Sequence, residues 1–581
     1  MGRFIGDRVW RVSGVLTNTG ATAVELARFN YLSGRLAGTR FLELNGAREQ
    51  PVLREGRAST TQRADAEAYW QDMGVTWPRF ADPVADEKGW FASTDYAAFT
   101  NGWNEPGWGF GFVAPGNAFG EIGYRGDGDS ADMYAGVRLD GVTLGARKHL
   151  RLEEVLVWCG DLQSGLNLWM RTCAAELHAR KSPPPMVGYC SWHQLYGDVR
   201  QQDVERATLE FQHWPVPPGG RLIQVDAGWQ VAQGDWRPNG KFEDWRSLPA
   251  RIAATGSVPG LWIAPLMVAA GHAIVKEHPD WLQRLPDGTP AITFPGGAAG
   301  VAGTDIHFLD PDHPAVQVFI SDTFRRLESE GWRYFKVDFT YPVTGARYAR
   351  GRTKTGFQSQ RELYQQIRAA LGPDVIVNAC VGALARYAIG SADVARIGGD
   401  ATFKFQNVKD SVHQSLSRFA TNGLWFQADA DCFSMRSLKS QLDAEERRLL
   451  TGTIGLSAGI FLTSDYPSQW SVEDAAFVRQ FWNERGPRVP DEQYVAWTRD
   501  GEIIAYRVSH RDGSRALHRV ALYNWTGESV TTFVALEAIH LGPRVRLTAT
   551  AGSAGYSLDG GIISVTAQPP HSMRIVDLIE S

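Results

Sequence analysis

The stretch Tyr334-Phe-Lys-Val-Asp-Phe-Thr-Tyr341 leaves an apolar run and sets a lysine and an aspartate two residues apart. On a strand, side chains two apart share a face, so Tyr334, Lys336 and Asp338 point the same way. In a parallel barrel that way is inward, and Asp338 stands at the C-terminal end of the strand. Barrels of alternating strands and helices carry their catalytic residues there. Charged groups at such a place are costly unless paired or used. A structural ion pair at the rim is the simpler reading of this one motif, and the rest of the chain weighs against it.

Polar residues also gather at the ends of other apolar runs. These are Trp192-His193, Asp226-Ala-Gly-Trp229, Cys380, Arg396-Ile-Gly-Gly-Asp400, Gln427-Ala-Asp-Ala-Asp-Cys432 with Arg436, and Ser464-Asp465. Scattered surface acids would not collect at so many strand ends. Two carboxylates on different strands, with a lysine and an arginine beside them, suit glycoside hydrolysis. One attacks the anomeric carbon; the other protonates the leaving oxygen and then activates water. Asp338 fits the nucleophile, because Lys336 favours its charged form. Asp400 fits the acid/base, because the two preceding glycines let the backbone turn sharply and place it over the site.

The elements that must hold these groups follow from the pattern. Residues 1–180 read as an N-terminal β-sandwich, with short alternating runs between Gly, Asn and Asp turns and a Gly/Trp loop over 100–108. Lys181-Ser-Pro-Pro-Pro-Met186 is a stiff boundary. Residues 186–486 alternate strands with helices. The expected strands are 187–192, 221–226, 260–265, 334–338, 375–380, 394–397, 423–427 and 454–462, and helices are expected over 316–327 and 361–371. This predicts a central (β/α)8 barrel; an open doubly wound sheet is the competitor, and no G-x-G-x-x-G follows the first strand. Gly296–Gly303 reads as a mobile barrel loop. Residues 488–581 read as a C-terminal antiparallel β-sandwich.

Composition narrows the function. The 581 residues carry 59 basic and 64 acidic side chains, a net charge of -5, with no basic block to hold nucleic acid or an anionic membrane. The 21 tryptophans suit stacking on sugar rings as well as core packing. The five cysteines, at 159, 173, 190, 380 and 432, form no close-spaced metal or redox pair. A reducing compartment is favoured. No run approaches the roughly 18 apolar residues of a membrane span, so the expectation is a cytoplasmic protein. No cofactor and no metal is expected, since the first strand carries no His-x-His.

Together these motifs resemble glycoside hydrolase family 36, the α-galactosidase and raffinose-synthase group, in the clan it shares with family 27. Tyr334–Asp338 resembles the nucleophile strand, and Arg396-x-x-x-Asp400 the acid/base motif with its arginine near the sugar 2-hydroxyl. Gly188-Tyr-Cys-Ser-Trp192 resembles the first-strand motif, and Asp226-Ala-Gly-Trp-Gln230 the hydroxyl-binding turn. Leu261-Trp-Ile-Ala-Pro265 and His278-Pro-Asp-Trp281 resemble the third unit, and Asp429-Ala-Asp-Cys432 an Asp-Pro-Asp-Cys of some members. The resemblance implies a retaining α-glycosidase with Asp338 and Asp400 catalytic. It implies sugar contacts from Trp192, His193, Asp226, Trp229, Trp262, Lys336, Cys380, Arg396 and Asp431. The partner is an oligosaccharide or α-glycoside, and self-association is left open.

One departure bears on the sugar. The second aspartate of the hydroxyl-binding turn, which in the family grips the 4- and 6-hydroxyls with the first, is Ala227 here. Losing a charged hydrogen bond costs roughly 1.5–3 kcal/mol, enough to change the preferred sugar. His193, where relatives often carry an acid, is the nearest candidate to fill the gap. Alternatives are a raffinose-synthase-like transglycosylase, a glycosidase for N-acetylgalactosaminides or β-L-arabinopyranosides, and an inactive carbohydrate-binding relative.

Overall fold

The computed structural model describes the chain apart from residues 1, 7, 38–40, 43, 46–52, 55–90, 101–106, 127–129, 286, 295, 299–300, 341–352, 381–384, 402–403, 437–440, 458, 484–491, 498–501, 513–514, 549–554 and 581. Most of the Gly/Trp loop over 100–108 therefore lies outside the described residues.

Eight parallel strands close into a barrel: β1 (Val187–Cys190), β2 (Arg221–Val225), β3 (Ser257–Ile263), β4 (Tyr334–Asp338), β5 (Ile376–Cys380), β6 (Val394–Arg396), β7 (Gln427–Phe433) and β8 (Ile460–Thr463). Six of the eight fall where hydrophobic pattern placed them. Around them pack amphipathic helices. Helix Pro314–Ser329 buries Val316, Ile320, Phe324 and Leu327. Helix Gly356–Ala370 opens on a capping box in which Thr355 and Gln358 satisfy each other's backbone N–H.

The last two strands differ from expectation. The apolar run Gly423–Phe426 is not β7; Trp425 turns away and donates its Nε1 to the Met170 carbonyl at 2.8 Å. The strand is the more polar Gln427–Phe433, fully buried. The run expected as the eighth strand is split. Its first residues end helix Ala444–Leu456, and β8 begins only at Ile460.

Before the barrel, a six-stranded and a four-stranded sheet face each other over a core that includes Phe99, Phe110, Phe112, Ile122, Tyr124 and Val137. Pairing is antiparallel, as in Gly107–Phe112 against Val155–Gly160. The all-β reading of this region misses helix Leu162–Glu176, capped by Asp161 accepting from Ser164 N. After the barrel, a five-stranded and a three-stranded antiparallel sheet enclose Ala505, Val520, Leu522, Val534, Ile563 and Val576. The glycine-rich barrel loop holds a short hairpin, Gly297–Ala298 paired with Val301–Ala302. Among the described residues, no helix is long and apolar enough to cross a membrane.

Candidate active site

At the C-terminal end of β4, Asp338 accepts from Trp262 Nε1 on β3 at 3.0 Å and from the backbone N–H of Phe339 at 2.7 Å. Burial pushes its carboxyl up to about 6; Lys336 and the Trp262 hydrogen bond oppose that rise, and the charge of Asp400 adds to it. That influence brings the two carboxylates expected to act together into one electrostatic neighbourhood. Lys336 is itself occupied: its Nζ lies 3.0 Å from Asp226 Oδ2 at the end of β2. Burial disfavours the Lys336 ammonium, and the Asp226 carboxylate outweighs this and holds it well above its ordinary range. Asp226 Oδ2 also accepts from Gln224 Nε2 at 2.8 Å, and its Oδ1 from Ala227 N at 2.9 Å.

Gly228 makes this turn feasible. Its φ of 116° suits glycine, and a Cβ there would come within 2.9 Å of the Gly197 backbone. Ala227 is buried, and its side chain contributes no polar atom. Trp229 lies deeper, 0% exposed, stacked on Trp245 at 4.8 Å with its Nε1 given to the Trp262 carbonyl at 2.9 Å. It braces the wall and Trp262 rather than meeting the mouth. Trp192 is half-buried, edge-on to Tyr196. Cys380 pairs in register with Asp338, and burial pushes its thiol well up.

The opposite side of the mouth is built from β1, β6 and β7. Arg396 closes β6; its Nη2 donates to Asp400 Oδ1 and to the Gly399 carbonyl, both at 3.0 Å, and forms an ion pair with Asp431 Oδ2 at 2.6 Å. His193 Nε2 stands 3.1 Å from the same Asp431 oxygen. His193 is therefore tied to β7 through Asp431. Burial opposes a charge on His193, but the Cys432 sulfur and the Asp431 carboxylate outweigh it and raise its imidazole well above the usual range. Gly398 allows a close approach rather than a left-handed turn. A Cβ there would meet Ser415 Oγ at 2.5 Å and the Ser411 carbonyl at 3.0 Å.

Sequence pattern marked Asp465 and Arg436 at strand ends but not the partners that hold them, and it missed Asn378. Asn378 on β5 donates to Asp429 Oδ2 and Tyr334 OH, both at 2.7 Å. Asp465, fully buried after β8, accepts from Gln194 Nε2 at 2.9 Å, Ser434 Oγ at 2.7 Å, Met435 N at 2.6 Å and Trp470 Nε1 at 2.9 Å. It also takes Arg436 Nε at 3.2 Å. Parity along β5 singles out Asn378, two residues before Cys380; the long-range partners of Asp465 leave no local signal.

Among the described residues one group of metal-type donors occurs: His193, Asp431 and Cys432 have ligand atoms within 4.8 Å of one another. Arg396 already pairs with that carboxylate, its Nη2 2.6 Å from Asp431 Oδ2. A cation placed there would compete with the guanidinium for the same oxygen.

No protein-family model matches the chain. A curated relative, alpha-galactosidase 2 of Pediococcus pentosaceus, is 24% identical over 227 residues, 37% of this chain and 28% of that protein. A probable alpha-galactosidase G of Aspergillus terreus is 27% identical over 110 residues, 16% of this chain and 15% of that protein. The matched stretches thus span less than a third of these relatives' lengths. Similar solved structures include an alpha-galactosidase of Thermus thermophilus in complex with p-nitrophenyl α-D-galactopyranoside, with a TM-score of 0.62 at 20% identity over 87% of this chain and 97% of that one. The alpha-galactosidase of Lactobacillus brevis superposes with a TM-score of 0.67 at 15% identity, covering 99% of this chain and 78% of that one. A GH36 alpha-galactosidase of Geobacillus stearothermophilus gives 0.63 at 16% identity over 99% of this chain and 80% of that one. This chain therefore has the fold of the family 36 α-galactosidases, a (β/α)8 barrel between β-domains.

Proposed function

We propose that the protein is a retaining α-glycosidase acting on α-galactosides or closely related sugars, with Asp338 as nucleophile and Asp400 as acid/base. The observation that carries this is Asp338 itself. It is oriented by two donors at the end of β4, with Asp400 near enough to bias its ionisation. Asp338 attacks the anomeric carbon while Asp400 gives its proton to the leaving oxygen. Asp400 then takes a proton from water, whose oxygen bonds to the anomeric carbon as the bond to Asp338 breaks, and the sugar leaves with its configuration retained. The α-galactosidase names of the relatives, and neighbours solved with stachyose and raffinose, support the substrate class.

A panel of nitrophenyl α-glycosides of galactose, N-acetylgalactosamine and glucose, with the β-L-arabinopyranoside, tests the reading. NMR should show the first-formed sugar with the substrate's anomeric configuration. Carboxyl groups about 5–5.5 Å apart in a substrate-bound structure would agree, against roughly 6.5–9.5 Å for inversion. An inverted first product, or no release from any glycoside, overturns the reading.

The preferred sugar turns on the Asp226 side of the mouth. One carboxylate stands there, already shared with Lys336 and Gln224, and Ala227 adds none. Weak activity on simple α-galactosides is expected, and Ala227→Asp should raise it relative to the best native sugar by roughly 10-fold or more, the equivalent of one charged hydrogen bond. A native kcat/KM of about 10⁴ M⁻¹s⁻¹ or more on a simple α-galactoside, ordinary for an enzyme, with no gain from Ala227→Asp, would show that the missing acid has no bearing on specificity.

A further inference from the structure

We propose that Asp431 is the positioning residue for the acid/base: it neutralises Arg396 and pins the backbone that carries Asp400, and does not itself contact sugar. This rests on the glycosidase reading above.

The backbone supplies the first argument. Strand β7 slips register against β8 between Asp429 and Cys432: Asp429 pairs with Ile460 and Cys432 with Leu462. Three steps on one strand thus match two on the other, which is a bulge. Asp431 sits in it at a φ of 76°, in the left-handed region that side chains rarely enter. Strain of this kind persists where surrounding contacts enforce it, and such positions cluster at functional sites. The bulge lets both Asp431 and Cys432 reach the cluster with His193 inside the barrel, where strict alternation would send one of them outward.

The contacts supply the second argument. Asp431 Oδ2 receives Arg396 Nη2 at 2.6 Å, the backbone N–H of Ala401 at 2.8 Å and His193 Nε2 at 3.1 Å; Oδ1 receives Cys432 N at 2.7 Å. Protein donors thus occupy both oxygens, and Asp431 is 4% exposed. Burial alone would raise its carboxyl, but Arg396 and then His193 overcome this and hold it well below the ordinary range. A carboxylate so engaged is a poor acceptor for a hydroxyl.

Those donors flank one short loop. Ala401 follows Asp400, and Arg396 reaches back to Asp400 Oδ1 and the Gly399 carbonyl. From outside the barrel, Gln414 Oε1 accepts from Gly399 N at 2.8 Å, and Arg418 Nη1 donates to the Ile397 carbonyl at 2.7 Å. Asp431 is the inner anchor of the loop and Gln414 an outer one. The charge matters as well. A carboxyl that must arrive protonated cannot face an uncompensated guanidinium, and Asp431 supplies the compensating charge while the Asp400 side chain stays 40% exposed.

The test compares nitrophenyl and methyl glycosides of the sugar that the native protein cleaves fastest. Nitrophenolate departs with little protonation, whereas methoxide needs the acid. Asp431→Asn keeps the shape and an amide tolerant of positive φ. Its kcat/KM, which covers steps through the first glycosyl transfer, should fall at least about 10-fold further for the methyl than for the nitrophenyl glycoside, against the roughly 10²–10⁴-fold that acid catalysis supplies. Gln414→Leu should show the same preference more weakly, and it remains a test should Asp431→Asn not fold. Equal losses on both glycosides in the folded variants, or a rise in KM alone, would overturn the proposal by making Asp431 structural or a sugar contact. A native protein inactive on every glycoside would instead count against the glycosidase reading.

Discussion

Asp338→Ala is expected to lower kcat on the best glycoside by on the order of 10⁴-fold or more while leaving the fold intact. Among the described residues, the neighbours of Asp338 are poor substitutes for it: Lys336 is taken by Asp226, and Cys380 is a thiol whose ionisation burial suppresses. Azide should restore part of the lost rate, because it fits the vacated space and attacks from the same side. The C–N bond forms there as the C–O bond to the leaving group breaks, giving the azide of opposite anomeric configuration. Near-normal turnover by a folded Asp338→Ala protein sinks the assignment.

The raised carboxyl of Asp338 gives two further readouts of the same residue. The nucleophile must be ionised, so kcat/KM should fall as pH drops through about 6. An acid limb near the ordinary carboxylate value of 3.8 would contradict the burial argument. The linkage sign follows from the same shift. A carboxyl raised in the folded state favours the fold while protonated; that contribution is full below about 4 and is lost as pH rises through about 6. At pH 7 the ionised side chain therefore costs stability, and Asp338→Asn should unfold no earlier than the native protein.

Periodicity found what is repeated and apolar. The inward parity of Tyr334, Lys336 and Asp338 is set by a strict two-residue period, and β4 has the bounds that this period gives. Strand β7 escaped because Asp429 and Asp431 read as loop residues. Their burial is compensated by partners far away in the chain, such as Asn378 on Asp429 and Arg396 on Asp431. Hydrophobic pattern cannot register that compensation. The bulge that places Asp431 has no signature in residue type, so its partners His193, Ala401 N and Arg396 are not legible from the pattern. Helix Leu162–Glu176 was legible: Leu166, Trp169, Met170 and Cys173 recur at helical spacing and are all buried. It was lost to the β pattern around it.

The largest expected effect on stability lies away from the mouth, at Arg386 between β5 and β6. Its Nη2 donates to Asp95 Oδ1 at 2.9 Å and the Ala118 carbonyl at 2.8 Å. Its Nη1 donates to Glu153 Oε2 at 2.9 Å and the Val113 carbonyl at 3.1 Å. All three charged side chains are at most 1% exposed. Burial works against the guanidinium, and the two carboxylates outweigh it and raise its pKa above even its ordinary high value. Glu153 also takes the backbone N–H groups of Gly116 and Ala118, both at 3.1 Å, so the same carboxylate shapes the turn that faces the barrel. Arg386→Met keeps much of the volume and strands two buried carboxylates against the barrel. Breaking a buried pair in this way costs about 3–5 kcal/mol, or about 10 °C in midpoint for a unit of 150–250 residues. The triple replacement Arg386→Met, Asp95→Asn, Glu153→Gln should recover much of that loss, since no charge is then left unpaired. Calorimetry and limited proteolysis would show whether the N-terminal sheets detach first. A midpoint for Arg386→Met within about 1 °C of native would mean that the N-terminal domain is held by its apolar contacts and that this charge cluster contributes no net stability.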